Sequence, residues 1–391
     1  MLNRRILRVK AMQALYSYFT AQESLKDVVR ERLESHFYPD PAKDDFTEAH
    51  LFTAKRKQAS DLFDTNLISR TISQDEEVAD DIREEVEGHI VEYHQELSKE
   101  KRNIRSRMMG DIDAIKKLYF KLLALPIELA HIERVEKDKN ENAHIAKESP
   151  WKWNFINNPL IDKLTKYEEF TRATIDLKIS WQEDIDQLRI WHKEILKKDE
   201  TLIAYQAKSN PTAAEHQEAL LYLFKKIIFK NESVLEFLAE QDLHWSENKA
   251  VVKSLVVKTF QDYEEDLDPS YELKEVIKNA EDDLEFFEIL FDKTLSEDEE
   301  LYQMIEKKVK NWDITRVALT DLIILKMAIT EMRHFHGIPV KVTINEFIEI
   351  SKTYSTPKSK QFVNGILDVL VNELTSEGVI RKSGRGLIDN K

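Results

Sequence analysis

Apolar side chains at the N-terminal end recur every three or four residues, with no glycine or proline between residues 3 and 20. This spacing predicts an amphipathic helix with one buried stripe. The stripe consists of Leu2, Ile6, Val9, Met12, Leu15, Tyr16 and Phe19. Arg4, Arg5 and Arg8 fall on another face of the same predicted helix.

A second well-specified pattern lies near the C-terminal end. Thr343 and Glu346 have the spacing of a capping box, so a helix is predicted to begin at Thr343. Thr356 is predicted to cap the next helix, with Pro357 at its first helical position. The chain beyond Ser376, which contains SGRG, is expected to be disordered.

Between these regions the pattern predicts further helices separated by clear breaks. The run FYPDPAKDD at residues 37–45 ends any helix, because a proline disfavours the α region in the residue before it. Highly charged residues then continue to about residue 103, and apolar density rises from Met108. The predicted plan has a basic helix at 1–24, a charged helical insertion at 25–110, an inserted helical domain at 111–270, a main bundle at 271–376 and a disordered tail at 377–391.

Two stretches, starting at Leu221 and Leu284, resemble each other. Each has an apolar helix, a second helix, a tryptophan (Trp245 or Trp312), a polar turn and a third apolar helix. One interpretation is an old internal duplication, which would make residues 111–270 a degenerate repeat of the main bundle. The other is that two helical hairpins with an aromatic residue at the turn look alike.

Composition supports an all-α fold. The chain has only 7 Gly and 9 Pro among 391 residues but 34% charged residues, which suits long helices and provides few of the turns that β-rich folds need. It has no Cys, and no apolar run approaches the roughly 18 residues that span a bilayer. The expected compartment is therefore the cytoplasm, without membrane attachment.

Charge is unevenly distributed along the chain. The net charge of −15 argues against general nucleic-acid affinity, but residues 1–22 contain four cations and no acidic side chain. Arg4 and Arg8 lie one helical turn apart, and Tyr16 is a candidate stacking surface for an unpaired base. The alternative is a solvated helical face with a core tyrosine.

The sequence contains no motif of an enzyme. Phosphate-cradling GxxxxGK[ST], GxGxxG, GxSxG and HExxH are all absent, so neither catalysis nor a cofactor is expected. His334 and His336 are the nearest approach to a metal site, but zinc needs three or four ligands and an exposed loop is the simpler interpretation. Gly365, beside Asn364 in an apolar helix, needs close helix packing or a partner's backbone to explain it.

Two stretches together resemble the two ends of the NusB family of transcription antitermination factors. They are RRILRVKAMQALYSYF from residue 4 and WDITRVALTDLIILKMAITEMRHFHGIPVKVTINEFIEISKTYSTPKSKQFVNGILDVL from residue 312. The resemblance covers about residues 2–24 and 284–374, and some 250 residues separate the first helix from the remainder. It implies an all-α, NusB-like helical bundle with a large inserted helical domain, in which residues 25 and 283 are spatial neighbours because the ends of an insertion must meet.

The resemblance also implies a function and a set of contacts. Family members pair with NusE, a small-subunit ribosomal protein, and the pair binds boxA RNA of the rRNA leader within an RNA polymerase elongation complex that holds other Nus factors. The implied RNA contacts are Arg4, Arg5, Arg8, Lys10, Tyr16 and Phe362. The implied NusE contacts are Glu346, Lys358, Ser359, Phe362 and Asn364.

The chain departs from the family pattern at residues 357–358, and a second function is compatible with its sequence. Many relatives carry an acidic residue just before the FVNG helix, whereas this chain has Pro357 and Lys358 there, so local contacts differ. The alternative function is a non-catalytic helical scaffold or ribosome-assembly module, in which the insertion binds proteins and the basic helix is only solvated. Association that is indifferent to boxA RNA would favour that alternative.

Overall fold

The computed structural model describes residues 4–39, 49–73, 78–142, 151–262, 273–274, 280–309 and 313–388. All regular elements in these ranges are helices, and none of the ranges contains a strand, so the predicted all-α class is confirmed. Among the described helices, none is long and apolar enough to cross a membrane.

The chain divides into two compact units. The central unit comprises residues 1–6 and 110–283, and the terminal unit comprises residues 7–109 and 284–391. The terminal unit therefore joins segments from the two ends of the sequence. The five-part domain plan stays a prediction, as does the internal duplication, for which Trp312 lies outside the described residues.

In the terminal unit, three long helical segments from the N-terminal side share an apolar core. Helix α1 spans Arg4–His36, α2 spans Ala49–Asn66 and α3 spans Asp80–Glu141, of which residues 80–109 belong to this unit. Helix α1 ends just before the two prolines, as predicted, but it continues unbroken past residue 24. Leu33, Phe63 and Val86, one from each helix, are completely buried in the shared core. The charged segment thus has a core of its own.

The C-terminal part of this unit is a bundle around one largely buried helix. Its helices are α11 (Ala280–Ser296), α12 (Asp298–Glu306), α13 (Leu319–His334), α14 (Val340–Tyr354) and α15 (Ser359–Ser376). Helix α13 contacts α12, α14 and α15. Consecutive α13 residues such as Ile323, Ile324 and Leu325 are all completely buried, because the neighbouring helices cover the middle of α13.

Both predicted starts of the C-terminal helices are wrong. Helix α14 begins at Val340, and the hydroxyl of Thr343, instead of capping it, donates a hydrogen bond of 2.7 Å to Glu331 Oε1. Helix α15 begins at Ser359, two residues after Pro357. At Thr343, a tertiary contact takes the hydroxyl group that local spacing had assigned to a cap.

The tail also differs from the predicted disorder. Ile380 is buried, Gly384–Leu387 form a short 3-10 helix, and the Ser383 amide donates to the His336 carbonyl at 3.1 Å. The described part of the tail, to residue 388, therefore packs back onto the loop between α13 and α14.

The central unit consists mainly of short helices. After residues 110–141 of α3 come α4 (Pro159–Lys166), α5 (Glu168–Asp176), α6 (Ile185–Glu194), α7 (Glu200–Gln206), α8 (Ala213–Tyr222), α9 (Glu232–Gln241) and α10 (Trp245–Gln261). Asn158, Asp199, Thr212 and Asn231 cap α4, α7, α8 and α9 through their side chains. Buried aromatics such as Trp181 and Trp191 fill the core.

Candidate nucleic-acid and partner interface

The basic face of α1 splits into exposed and buried arginines. Arg4 and Arg5 are exposed, and Arg4 Nε lies 3.9 Å from Asp283 Oδ1 within the central unit. Burial raises the pKa of the Asp283 carboxyl, and the nearby Arg4 guanidinium opposes this rise. Both arginines are therefore at the surface, where a phosphate can reach them.

Arg8 is not available to RNA, which corrects its predicted role. Its side chain is only 3% exposed, and its Nε and Nη2 donate to the two carboxylate oxygens of Glu331 at 2.6 and 2.7 Å. The guanidinium also lies 5.4 Å from the ring centroid of Phe286 and 5.9 Å from that of Phe347. A bidentate ion pair enclosed by aromatic rings fixes α1 to α13 and leaves no donor face open to RNA.

Lys10 and Tyr16 also differ in exposure, since the first is buried and the second is exposed. Lys10 is 2% exposed, so its predicted contact with RNA is contradicted in the same way. Tyr16 is 46% exposed and presents its ring to solvent. Helical spacing could not distinguish these outcomes, because it gives relative positions around the helix but not which neighbours cover them.

The N-terminal end of α15 carries two exposed lysines. Lys358 and Lys360 are exposed, and neither forms an ion pair within the described part of the chain. Ser359 between them is 2% exposed and donates to Asp321 Oδ2 at 2.6 Å, so its predicted contact with a partner is contradicted. Helix N-termini attract anions, and the two ammonium groups add to that attraction.

Phe362, Gly365 and Val369 of α15 form a line with Lys358, the residue just before the helix, and we call these four residues the α15 stripe. Phe362 is half-buried, and Val369 is 52% exposed. A Cβ built on Gly365 would meet nothing within 4 Å. Close helix packing therefore does not explain this glycine, and the stripe is open for an approaching partner.

The remaining predicted partner contacts, Glu346 and Asn364, are both partly exposed. Glu346 is half-buried and lies 3.7 Å from Arg8 Nη1, so it supports the internal ion pair. Asn364 lies beside the α15 stripe and donates to Asp368 Oδ2 at 3.0 Å within the same helix. Both side chains are half-buried and already have a partner within the protein.

The two histidines of the RHFHG loop do not converge. His334 Nε2 lies 2.8 Å from Glu297 Oε1, whereas His336 Nδ1 contacts the Arg381 carbonyl. Among the described residues, no group of three or more His, Asp or Glu side chains is placed to hold a metal ion.

Sequence reasoning missed Lys360 and Val369 as candidate contacts. Val369 has the helical spacing of a core residue, and only the three-dimensional packing shows that it faces solvent. Lys360 could have been found, because it follows Lys358 in a segment, residues 357–366, that contains no acidic residue.

Comparison with known proteins identifies the bundle around α13 as a NusB-type fold. The family model "NusB family" matches residues 248–372, from within α10 to near the end of α15. The match includes the α15 stripe and does not include α1. The chain belongs to the NusB family.

Three relatives named transcription antitermination protein NusB show how far the similarity extends. The Salinibacter ruber protein is 47% identical over 104 residues, which are 27% of this chain and 65% of that protein. The Chloroherpeton thalassium protein is 53% identical over 85 residues, 22% of this chain and 40% of the relative. The Natranaerobius thermophilus protein is 36% identical over 106 residues, 26% of this chain and 76% of the relative. The chain thus spans less than two thirds of the first two.

A solved structure of T. maritima NusB is 26% identical to this chain and aligns over 42% of it and 94% of the solved chain, with a TM-score of 0.22.

Proposed function

We propose that this chain is a non-catalytic transcription antitermination factor that acts in the cytoplasm. It binds boxA RNA of the rRNA leader together with NusE, and the complex joins the RNA polymerase elongation complex with other Nus factors. Family membership supports the general role. The observation that carries the proposal is the α15 stripe, an exposed line with an open glycine at its centre and exposed lysines at its helix N-terminus.

The RNA contacts in this proposal are a revised set. Arg4, Arg5 and Lys358 supply cations at the surface, and Tyr16 and Phe362 supply aromatic faces. Phosphate contacts give affinity without sequence information, whereas stacking on aromatic rings suits unpaired bases. Arg8 and Lys10 are not part of this set, since both are buried in the terminal unit.

The partner contacts centre on Gly365. A residue without a Cβ lets a partner approach the helix backbone closely, and this gain offsets the roughly 1 kcal/mol by which glycine destabilises a helix relative to alanine. Asn364 and Val369 border this point. We propose that NusE packs here, so that RNA spanning both proteins gains affinity from each.

The direct test is binding of the full chain to labelled boxA RNA, with and without NusE, across a salt series. We expect NusE to strengthen RNA binding. Replacing Lys358 and Lys360 with Ala should flatten the slope of log affinity against log salt by roughly 0.7 for each phosphate that these lysines neutralise. NusE association that is indifferent to boxA RNA would instead support the scaffold function.

Gly365→Leu tests the partner face without weakening the helix. Leucine favours helix more than glycine, and the added side chain meets open space, so the variant should fold at least as well as the parent. We expect its NusE binding to fall by at least tenfold. Gly88→Leu is the matched control, because Gly88 is an equally open, exposed helical glycine of the same unit. Equal NusE binding by both variants would refute the assignment of this face.

A further inference from the structure

Trp153 in the central unit has an unusual backbone conformation. Its φ is +59°, in the left-handed region that bulky residues rarely adopt. Such a conformation persists only where the surroundings fix it, and it is a reason to look for a function. Here the residue lies in the short segment between α3 and α4.

Hydrogen bonds on both sides hold Trp153 in place. The Lys152 amide donates to the Gln206 carbonyl at 2.6 Å, and the Asn154 amide donates to Gln206 Oε1 at 2.5 Å. Asn154 Nδ2 also donates to the Tyr205 carbonyl at 2.8 Å. The end of α7 therefore clamps the residues before and after Trp153.

The clamp is anchored on a buried carboxylate of α3. Glu133 is completely buried, and its Oε1 accepts hydrogen bonds from Gln206 Nε2 at 2.6 Å and from Trp151 Nε1 at 3.0 Å. One acidic group thus fixes both the clamp and the first of two neighbouring indoles. Residues 151–154 are thus tied by hydrogen bonds to both α3 and α7.

Two lysines lie close to these indoles, Lys152 in the sequence and Lys197 in space. Lys152, between the two tryptophans in sequence, is exposed and has no ion pair within the described ranges. Lys197 Nζ lies 5.9 Å from the ring centroids of both Trp151 and Trp153. Trp151 and Trp153 are both half-buried residues.

Two acids of the central unit are engaged in ion pairs with lysines of the same unit. Glu136 pairs with Lys197, and Glu215 pairs with Lys208. Lys152 is exposed and has no ion pair within the described residues, so its ammonium group can meet a phosphate. Aromatic faces next to uncompensated cations are the elements with which proteins bind single-stranded nucleic acid, because bases stack on the rings and phosphates meet the cations.

We propose that Trp153 and Lys152 form a second contact for single-stranded RNA, in which an unpaired base stacks on the Trp153 indole and Lys152 meets a backbone phosphate. Lys197 and Trp151 position this surface. The proposal rests on the proposed RNA-binding function, and it gives the central unit a role of its own. Every base has a flat face that can stack on an aromatic ring, so this contact does not depend on RNA sequence. The ligand is therefore single-stranded RNA in general, and a boxA motif is not required.

The test uses the full chain and a labelled oligouridylate of about 12 nucleotides, a length within the usual range of such sites. Trp153→Gly should keep or raise the melting temperature, because glycine adopts positive φ without strain. Its affinity for the oligouridylate should fall about 5- to 150-fold, the usual effect of removing one stacking platform. Trp153→Phe should retain most of the affinity, since an aromatic face remains.

Lys152→Ala and Lys178→Ala complete the design. Lys178 is, like Lys152, an exposed lysine of the central unit, so its replacement is the control. Lys152→Ala should lower the salt slope by roughly 0.7, and Lys178→Ala should leave it unchanged. Wild-type affinity for both Trp153→Gly and Lys152→Ala would overturn the proposal.

The oligouridylate experiments and the boxA experiments with NusE can fail independently of each other. If NusE fails to strengthen boxA binding but Trp153→Gly weakens oligouridylate binding, the antitermination proposal fails and the second contact stands. If boxA binding with NusE is normal and Trp153→Gly lowers only the melting temperature, the indole is structural and this inference is wrong.

Discussion

Glu331 in the terminal unit and Glu133 in the central unit are both completely buried carboxylates, but their surroundings differ. Glu331 accepts two hydrogen bonds from Arg8 and one from the Thr343 hydroxyl, so both of its oxygens are engaged. Glu133 has its Oε2 without a hydrogen-bond partner in the described structure, and His192 Nε2 lies 3.7 Å from its Oε1. The Arg8 guanidinium binds both oxygens of Glu331. Within the described residues, no arginine binds the Glu133 carboxylate in this way.

This difference predicts opposite responses to substitution. A buried ion pair is costly to break, because removing one partner leaves the other charge unpaired in a low-dielectric interior. A buried carboxylate that is only partly satisfied carries its desolvation cost in the folded state, and a neutral replacement relieves that cost. The terminal unit should therefore lose stability when its buried site is altered, and the central unit should gain it.

The largest effect is expected for Arg8→Met. Glu331 would stay buried without its cation, so the free energy of unfolding of the terminal unit should fall by about 3–5 kcal/mol. Hydrogen exchange of the α13 amides measures this locally. The double variant Arg8→Met with Glu331→Leu should recover much of the loss, because it removes both charges. A single variant as stable as the parent would show that the ion pair contributes nothing.

The next effect is expected for Thr343→Val, which keeps the shape but removes the hydroxyl that donates to Glu331. A hydrogen bond to a charged group contributes about 1.5–3 kcal/mol, so the terminal unit should lose stability in that range in denaturant unfolding. The control is Thr315→Val, since Thr315 donates to Asp313 in an exposed site. Its effect should stay within about 0.5 kcal/mol. Equal losses for the two variants would contradict the importance of burial.

Glu133→Gln should act in the opposite direction. Burial raises the pKa of the Glu133 carboxyl, with His192 and Trp151 opposing, so the folded state holds this proton more tightly than the unfolded state. Its favourable contribution is therefore present at low pH and is lost as the pH rises through the raised pKa. Glutamine, which does not titrate, should stabilise the central unit at neutral pH by on the order of 1 kcal/mol.

The pH profile is the measurement for this variant. The advantage of Glu133→Gln in melting temperature should be smallest near the ordinary glutamate pKa of 4.5 and should grow as pH rises. Glu240→Gln, at an exposed position of α9 in the same unit, is the control and should show no such trend. A constant difference across pH would mean that Glu133 does not titrate in this range.

The smallest effect on global stability is expected for Gly386→Ala in the tail. A Cβ there would lie 2.1 Å from the His336 carbonyl oxygen, so residues 380–388 must move away from that loop. The movement exposes Lys382, whose pKa burial lowers to about 8 although Glu331 opposes the shift. Trypsin should cleave after Lys382 faster, while the melting temperature of the bundle changes little. Gly337→Ala meets open space and should leave the cleavage rate unchanged.

Predictions from local pattern succeeded where the chain responds to its nearest neighbours. The N-terminal amphipathic helix and its end before the prolines are confirmed, because periodicity and proline act within a few residues. The helix length was underestimated, since α1 continues to His36 and its apolar positions there pack on α2 and α3. The capping box at Thr343 is wrong because Glu331, twelve residues earlier, takes the hydroxyl.

In the candidate site, too, local features were predicted from the sequence and burial was not. The basic character of α1 and the unusual glycine of α15 were readable from the sequence, and both remain parts of the proposed interface. The burial of Arg8 and Ser359 was not readable, because Glu331 and Asp321 lie far away in the chain. The open space around Gly365 was equally hidden, since a glycine in a helix is compatible with close packing or with none.

The sequence by itself determined that this protein is helical, acidic overall, basic at its N-terminal end and similar to the NusB family. These properties depend on composition and short-range periodicity, which every segment carries with it. Only the tertiary structure decided which cations reach solvent, which hydroxyls cap helices and where Trp153 is held. Those outcomes depend on contacts between residues as far apart as Arg8 and Glu331, and burial in such contacts changes the energetic cost of a charge.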